Sequence, residues 1–169
     1  LHFTLKRDLE DIYATLFLKI FALSLIGLFV PIYLIKEIGH TFNEVLVYFL
    51  ALFVFILFGY TLGALLANKI GIKKVIIISL PFHLVYYFLL YSLQNYSISL
   101  ILLGAIFGLA DGFFWFAYNT YFAKISDKEH RGEEVNVGYV AAILLGIFGP
   151  FVGGALLSFL NFYVLFIVV

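Results

Sequence analysis

Apolar residues run through this chain in long unbroken stretches, and the gaps between stretches are short and charged. A helix that crosses the ~30 Å hydrocarbon core of a bilayer needs about 20 such residues. Five stretches reach that length, at roughly 13–35, 45–67, 75–93, 98–122 and 137–157, and a sixth begins from Phe159 onward. Residues 1–12 read as a short amphipathic lead-in, with Leu5, Leu9 and Ile12 at helical spacing. None of the stretches alternates polar and apolar positions as the strands of a membrane β-barrel do. The pattern therefore predicts an all-α membrane protein, a polytopic transmembrane helix bundle with five full spans plus the start of a sixth. The connections, at 36–44, 68–74, 92–97 and 124–136, are short enough to make consecutive helices antiparallel neighbours.

Charge placement orients the bundle. The N-terminal side holds Lys6, Arg7 and Lys19, the second connection Lys69, Lys73 and Lys74, and the fourth Lys124, Lys128 and Arg131, whereas the opposite side holds only Lys36. Positive residues concentrate on cytoplasmic loops, so the N-terminus and these two connections are expected in the cytoplasm. The net charge of zero carries no such information and gives no footprint for nucleic acid.

Composition agrees with a lipid solvent: 64% of residues are hydrophobic and 12% charged, against roughly 25% charged in soluble domains. Without cysteine there is no disulfide or thiol chemistry to consider. The chain also lacks methionine and starts at Leu1, and its last residues are apolar without a polar flank. The expectation is a piece of a longer or processed protein. The charged first twenty residues do not form a cleavable signal peptide. No phosphate-binding loop and no hydrolase motif occurs, so neither an ATP-driven pump nor an enzyme is expected, and no cofactor or metal is implied.

Two local motifs stand out. The fifth span contains Gly149-Pro150-Phe151-Val152-Gly153-Gly154. Proline bends a helix, and glycines four apart form a flat ridge that admits a neighbouring backbone, so the segment reads as a tightly packed, pivoting helix or as a packing face alone. The second connection reads Leu66-Ala67-Asn68-Lys69-Ile70-Gly71-Ile72-Lys73-Lys74, a glycine turn flanked by lysines. Further glycine ridges occur at Gly59 and Gly63 in span 2 and at Gly104, Gly108 and Gly112 in span 4. Pro31 is expected to kink span 1.

In these residues the chain resembles the major facilitator superfamily of secondary transporters. The loop between helices 2 and 3 of that family typically reads Gly-x-Leu-Ala-Asp-Arg/Lys-x-Gly-x-Arg/Lys-Arg/Lys. Leu66, Ala67, Lys69, Gly71, Lys73 and Lys74 match it, with Ala64 at the leading glycine and Asn68 in place of an aspartate that takes part in an ionic latch. The Gly-Pro-x-x-Gly-Gly run is similar to the family's helix 5 motif, best known from proton-coupled exporters, and Arg131-Gly132 also fits. The resemblance covers essentially the whole chain and implies one six-helix half of a twelve-helix protein, the C-terminal half being a missing partner. It implies transport of a small solute by alternating access, as proton-coupled export by analogy, with membrane lipid, the solute and H+ as partners; the short loops point to a prokaryotic cell membrane as the location. The alternative is a small non-transporting membrane scaffold or assembly protein.

Candidate chemistry lies in the buried polar residues. Asp111 falls near the middle of span 4, where a carboxylate is costly and is normally turned to a bundle interior or a watery cavity. The resemblance implies that this helix lines the transport path, so Asp111 is a candidate for binding a proton or a cationic substrate, with a structural carboxylic acid as the other reading. His83, beside Pro81, lies about 13 Å above the lysine end of span 3 and Asp111 about 20 Å above Lys124, by helical rise. The two therefore share a depth near mid-membrane. His83 reads first as a packed neutral histidine and second as a relay partner of Asp111. Tyr118 and Asn119 are candidate polar contacts in an aromatic stretch that could face an apolar or cationic substrate or simply anchor the span.

Overall fold

The computed structural model describes residues 7–126, 129–159 and 161–168. Among them are seven helices and no strand: α1 (Arg7–Ile26), α2 (Phe29–Lys36), α3 (Phe42–Ile70), α4 (Ile72–Ser92), α5 (Leu100–Ile125), α6 (Arg131–Phe159) and α7 (Phe162–Val168). Five spans are long and apolar enough to cross a membrane: Leu9–Lys36, Phe42–Ile70, Ile72–Ser92, Leu100–Ile125 and Arg131–Phe159. They match the five expected from hydropathy, and α7 occupies the start of the expected sixth. Leu5 and Lys6 of the lead-in and Lys128 of the fourth connection lie outside the described residues.

The helices extend further than the apolar stretches. Arg131–Asn136, read as loop, form the first turns of α6. Asn68, Lys69, Lys73 and Lys74 are likewise helical, because the second connection shrinks to Gly71 alone. Hydropathy marks only what lipid touches, whereas a backbone outside the lipid still gains by keeping its helical hydrogen bonds. Span 1 is interrupted rather than kinked at Pro31. A proline has no N–H for the carbonyl four residues earlier, and its ring crowds that carbonyl. That carbonyl belongs to Gly27, and the chain turns at Gly27–Leu28 before resuming as α2. Gly27 still donates to Leu23 O at 2.8 Å, closing α1.

The chain divides into two compact units, Leu1–Phe29 with Phe122–Val169, and Val30–Tyr121. In the first, α1 and α6 run parallel. Tyr13 lies beside Gly138, Ser24 beside Gly149, and Leu25 and Phe29 beside Gly153. The Tyr13 hydroxyl donates to Glu134 O. Hydrophobicity does not draw two helices together in lipid, so such seams are held by close packing and interhelical hydrogen bonds. The glycines of the expected packing motif thus sit where the backbones approach, and α6 continues through Pro150 as one helix.

In the second unit α3 and α5 run parallel, with Gly104 beside Tyr48, Gly108 beside Leu52, and Gly112 beside Ile56 and Gly59. α4 runs antiparallel to α5. Lys73 Nζ stands 4.9 Å from the Tyr121 ring centroid at one end, and the rings of Phe82 and Phe113 are 5.5 Å apart further along. Val75, Phe113 and Ala117 centre an apolar cluster with Leu66, Ile70 and Phe116 around it. Toward the other end the buried hydroxyls of Tyr48 and Tyr86 bond at 2.8 Å, joining α3 to α4, and Tyr33 OH donates to Leu90 O at 3.1 Å.

Candidate functional site

The polar centre of the second unit lies where α4 and α5 pass mid-span. Helical periodicity places Ser79, His83 and Tyr87 on one strip of α4, and Asp111, Trp115 and Asn119 on one strip of α5, each four residues apart. The antiparallel packing brings the strips together. His83 Nε2 stands 3.8 Å from Asp111 Oδ1, with both side chains largely buried. The other oxygen, Oδ2, accepts from Trp115 Nε1 at 3.2 Å. His83 Nδ1 lies 2.8 Å from Ser79 O. A carbonyl oxygen can only accept, so Nδ1 carries the proton and Nε2 is the nitrogen turned to Asp111. The His83 ring also meets Phe107 edge-on, with centroids 5.7 Å apart.

The shared depth of His83 and Asp111 expected from helical rise is thus joined by lateral contact. Side-chain amphipathicity could not have given that, since both helices are apolar almost all round. Trp115 is the addition: its place one turn after Asp111 was visible, but its indole N–H counted only as part of an aromatic run.

Of the other candidates, Asn119 is exposed and donates to Tyr60 OH at 3.4 Å. It lies two turns beyond Asp111, so it shares the strip without touching the carboxylate. Tyr118 is buried against Phe114, with rings stacked at 5.9 Å, and against Trp115, at 5.8 Å edge-on. Its ring thus packs within an aromatic cluster beside the polar strip.

The motif residues separate by what they touch. Gly71 has φ +94°, a conformation natural to glycine, and its N–H closes α3 on Ala67 O at 3.0 Å. Asn68, Lys69, Gly71, Lys73 and Lys74 all lie at the turn where α3 gives way to α4. Lys73 leans over the Tyr121 ring, tying the turn to the C-terminal end of α5 by a cation–π contact. Arg131 acts at the end of α5 too. Its Nε donates to Ser126 Oγ and its Nη2 to Ala123 O, each at 2.8 Å. Arg131 therefore caps one carbonyl in the last turn of α5, a favourable place for a cation. Gly149 and Gly153 face α1, while Gly154 makes only ordinary contact with the Phe29 ring.

Lys19, counted with the N-terminal flank, falls within both the expected stretch 13–35 and the span Leu9–Lys36.

Residues 12–169 match the sequence profile of the Major Facilitator Superfamily. No curated protein and no solved structure matches the chain.

Proposed function

The chain belongs to the Major Facilitator Superfamily, a family of membrane transporters, and from that premise we propose that it carries out secondary active transport of a small solute by alternating access, coupled to protons. The observation that carries the reading is the meeting of His83 and Asp111 inside two membrane spans. Ionisable side chains are rare at that depth, and where they occur they mark ion and substrate pathways. Asp111 is the residue that takes up a proton or a cationic group. His83 stands beside it as relay, and Trp115 holds the second carboxylate oxygen. The membrane setting, the absence of any hydrolase motif and the family together favour a transporter over an enzyme or a passive scaffold.

The architecture proposed is one six-helix half of a two-half transporter, with the solute site near the midplane. The N-terminus and the lysine-bearing end of α3 and α4 lie on the cytoplasmic side of a prokaryotic cell membrane. Within the second unit Lys69, Lys73 and Lys74 stand together at the end where α5 closes, and Lys36 ends α2 at the opposite side, toward the C-terminus of α4.

The test is solute uptake by the full-length protein in proteoliposomes under an imposed pH gradient. Asp111→Asn should abolish the response to the gradient, leaving uptake at the rate seen without one. Uptake by Asp111→Asn that follows the gradient as the unaltered protein does would sink the coupling assignment.

A further inference from the structure

One flank of the α4–α5 pair holds a groove that the polar centre does not use. Pro81, Phe82 and Val85 of α4 and Ile106 of α5 line it, and its volume is about 230 Å³. Pro81 and Val85 each follow a leucine and are shorter than it, which makes room at the surface. Phe82 closes the base, its ring centroid 5.5 Å from that of Phe113. All four lining residues are apolar, and Val85 is 46% exposed, so the groove lies open.

Helical periodicity ties this groove to a charge. Lys74, Ile78, Pro81 and Val85 follow one another at steps of four, three and four residues and so share one face of α4. Lys74 is exposed and stands near the start of the span Ile72–Ser92. Pro81 lies seven residues further on, about 10 Å deeper. The headgroup layer is only about 6 Å thick, so the groove lies at the depth of acyl chains. Lys73 is next to Lys74 and stands over the Tyr121 ring of α5, which puts two cations at the end of the α4–α5 seam. α4 carries no acidic residue, and the acidic residue of α5 is Asp111, at mid-span.

We infer that this flank binds one anionic phospholipid, with its phosphate at Lys74 and Lys73 and an acyl chain in the groove. Charge complementarity selects the headgroup, because no carboxylate of either helix competes at that end. Basic groups between spans are suited to anionic headgroups, and the apolar groove on the same face fixes where the chain lies. Such a lipid needs only the membrane setting, whatever solute the protein carries.

The heat stability of the full-length protein in an uncharged detergent is measured against three additions. Dioleoyl-phosphatidylglycerol supplies both charge and chains, dioleoyl-phosphatidylcholine the chains without net charge, and inorganic phosphate the charge without chains. The phosphatidylglycerol should stabilise to a plateau and the other two should not, since a ligand stabilises the state that binds it. Lys73→Gln and Lys74→Gln should each raise its half-saturating concentration about fivefold. Lys36→Gln, at the opposite end, should leave it unchanged. Val85→Phe fills the groove from a half-exposed position, where a larger side chain has room. With both lysines intact it should still weaken binding about tenfold, the loss of roughly two buried methylenes.

Equal stabilisation by phosphatidylcholine, or by phosphate alone, would overturn the inference. So would undiminished binding to Val85→Phe, which leaves only a diffuse attraction between the lysines and an anionic surface. So too would the lack of any response to phosphatidylglycerol, the result expected where another part of the full-length protein fills the groove.

Discussion

Each unit is built on a seam between two parallel helices, and both seams use glycine, but they close differently. Between α3 and α5 the approach is backbone to backbone over three successive turns. A methyl at Gly104, Gly108 or Gly112 would fall on the carbonyl oxygen of Tyr48, Leu52 or Ile56, and at Gly112 also 2.7 Å from Gly59 Cα. Between α1 and α6 the approach varies along the seam. A methyl at Gly138 would meet only the Tyr13 ring, at 3.3 Å, and the Leu16 side chain beyond it. One at Gly146 would meet nothing within 4 Å, and at Gly149 and Gly153 the helices close on Ser24 and Leu25. The first seam is locked along its length, and the second is gripped at one end. The difference shows that a glycine ridge in a membrane sequence specifies how near two helices can come, not how near they do.

That comparison can be broken at its strongest point first. Gly108→Ala places a methyl on Leu52 O and 2.9 Å from Phe55 Cβ, with backbone as the main obstacle. The helices must part, and overpacking of this kind costs about 1–3 kcal/mol or somewhat more. A lowered unfolding midpoint in detergent titration checks it, and an unchanged midpoint would mean that α3 and α5 are not locked. Gly149→Ala meets chiefly the Ser24 side chain, so its expected loss is smaller, about 1 kcal/mol, and Ser24→Gly in the same chain should recover most of it. The paired measurement matters, because failure of the rescue would place the obstacle in the backbone. Gly146→Ala should be neutral or gain up to about 1 kcal/mol through helix propensity, since nothing stands near the added methyl. A clear loss at Gly146 would show that α6 is packed there too.

Much of this was written in the chain. The five spans follow from the length of apolar runs, and the ridges at Gly104, Gly108 and Gly112 and at Gly149 and Gly153 were visible as spacing. Which helix each ridge would meet was not, because in lipid nearly every face is apolar and no polar stripe points outward to orient the helix. The interruption of span 1 was displaced from its cause: Pro31 acts on the carbonyl of Gly27, so the break falls upstream of the residue that announces it. The first turns of α4 and α6 were misjudged because polar residues outside the hydrocarbon carry no hydropathy signal. In the polar centre, depth was legible by counting residues from the lysines. The contact of His83 with Asp111, and the hold of Trp115 on the same carboxylate, needed the rotation of α4 about its axis, which no count supplies.

The connection between α3 and α4 is one residue, Gly71. A single residue spans no more than about 3.6 Å, so it leaves no slack for one helix to settle in the bilayer before the other. During synthesis the pair has to enter as a preformed hairpin, the turn held back on the side where its lysines stay hydrated while both apolar arms pass into lipid together. The same economy fixes the later life of the pair: any translation of α3 along the membrane normal is handed directly to α4, and with it to the histidine that α4 carries.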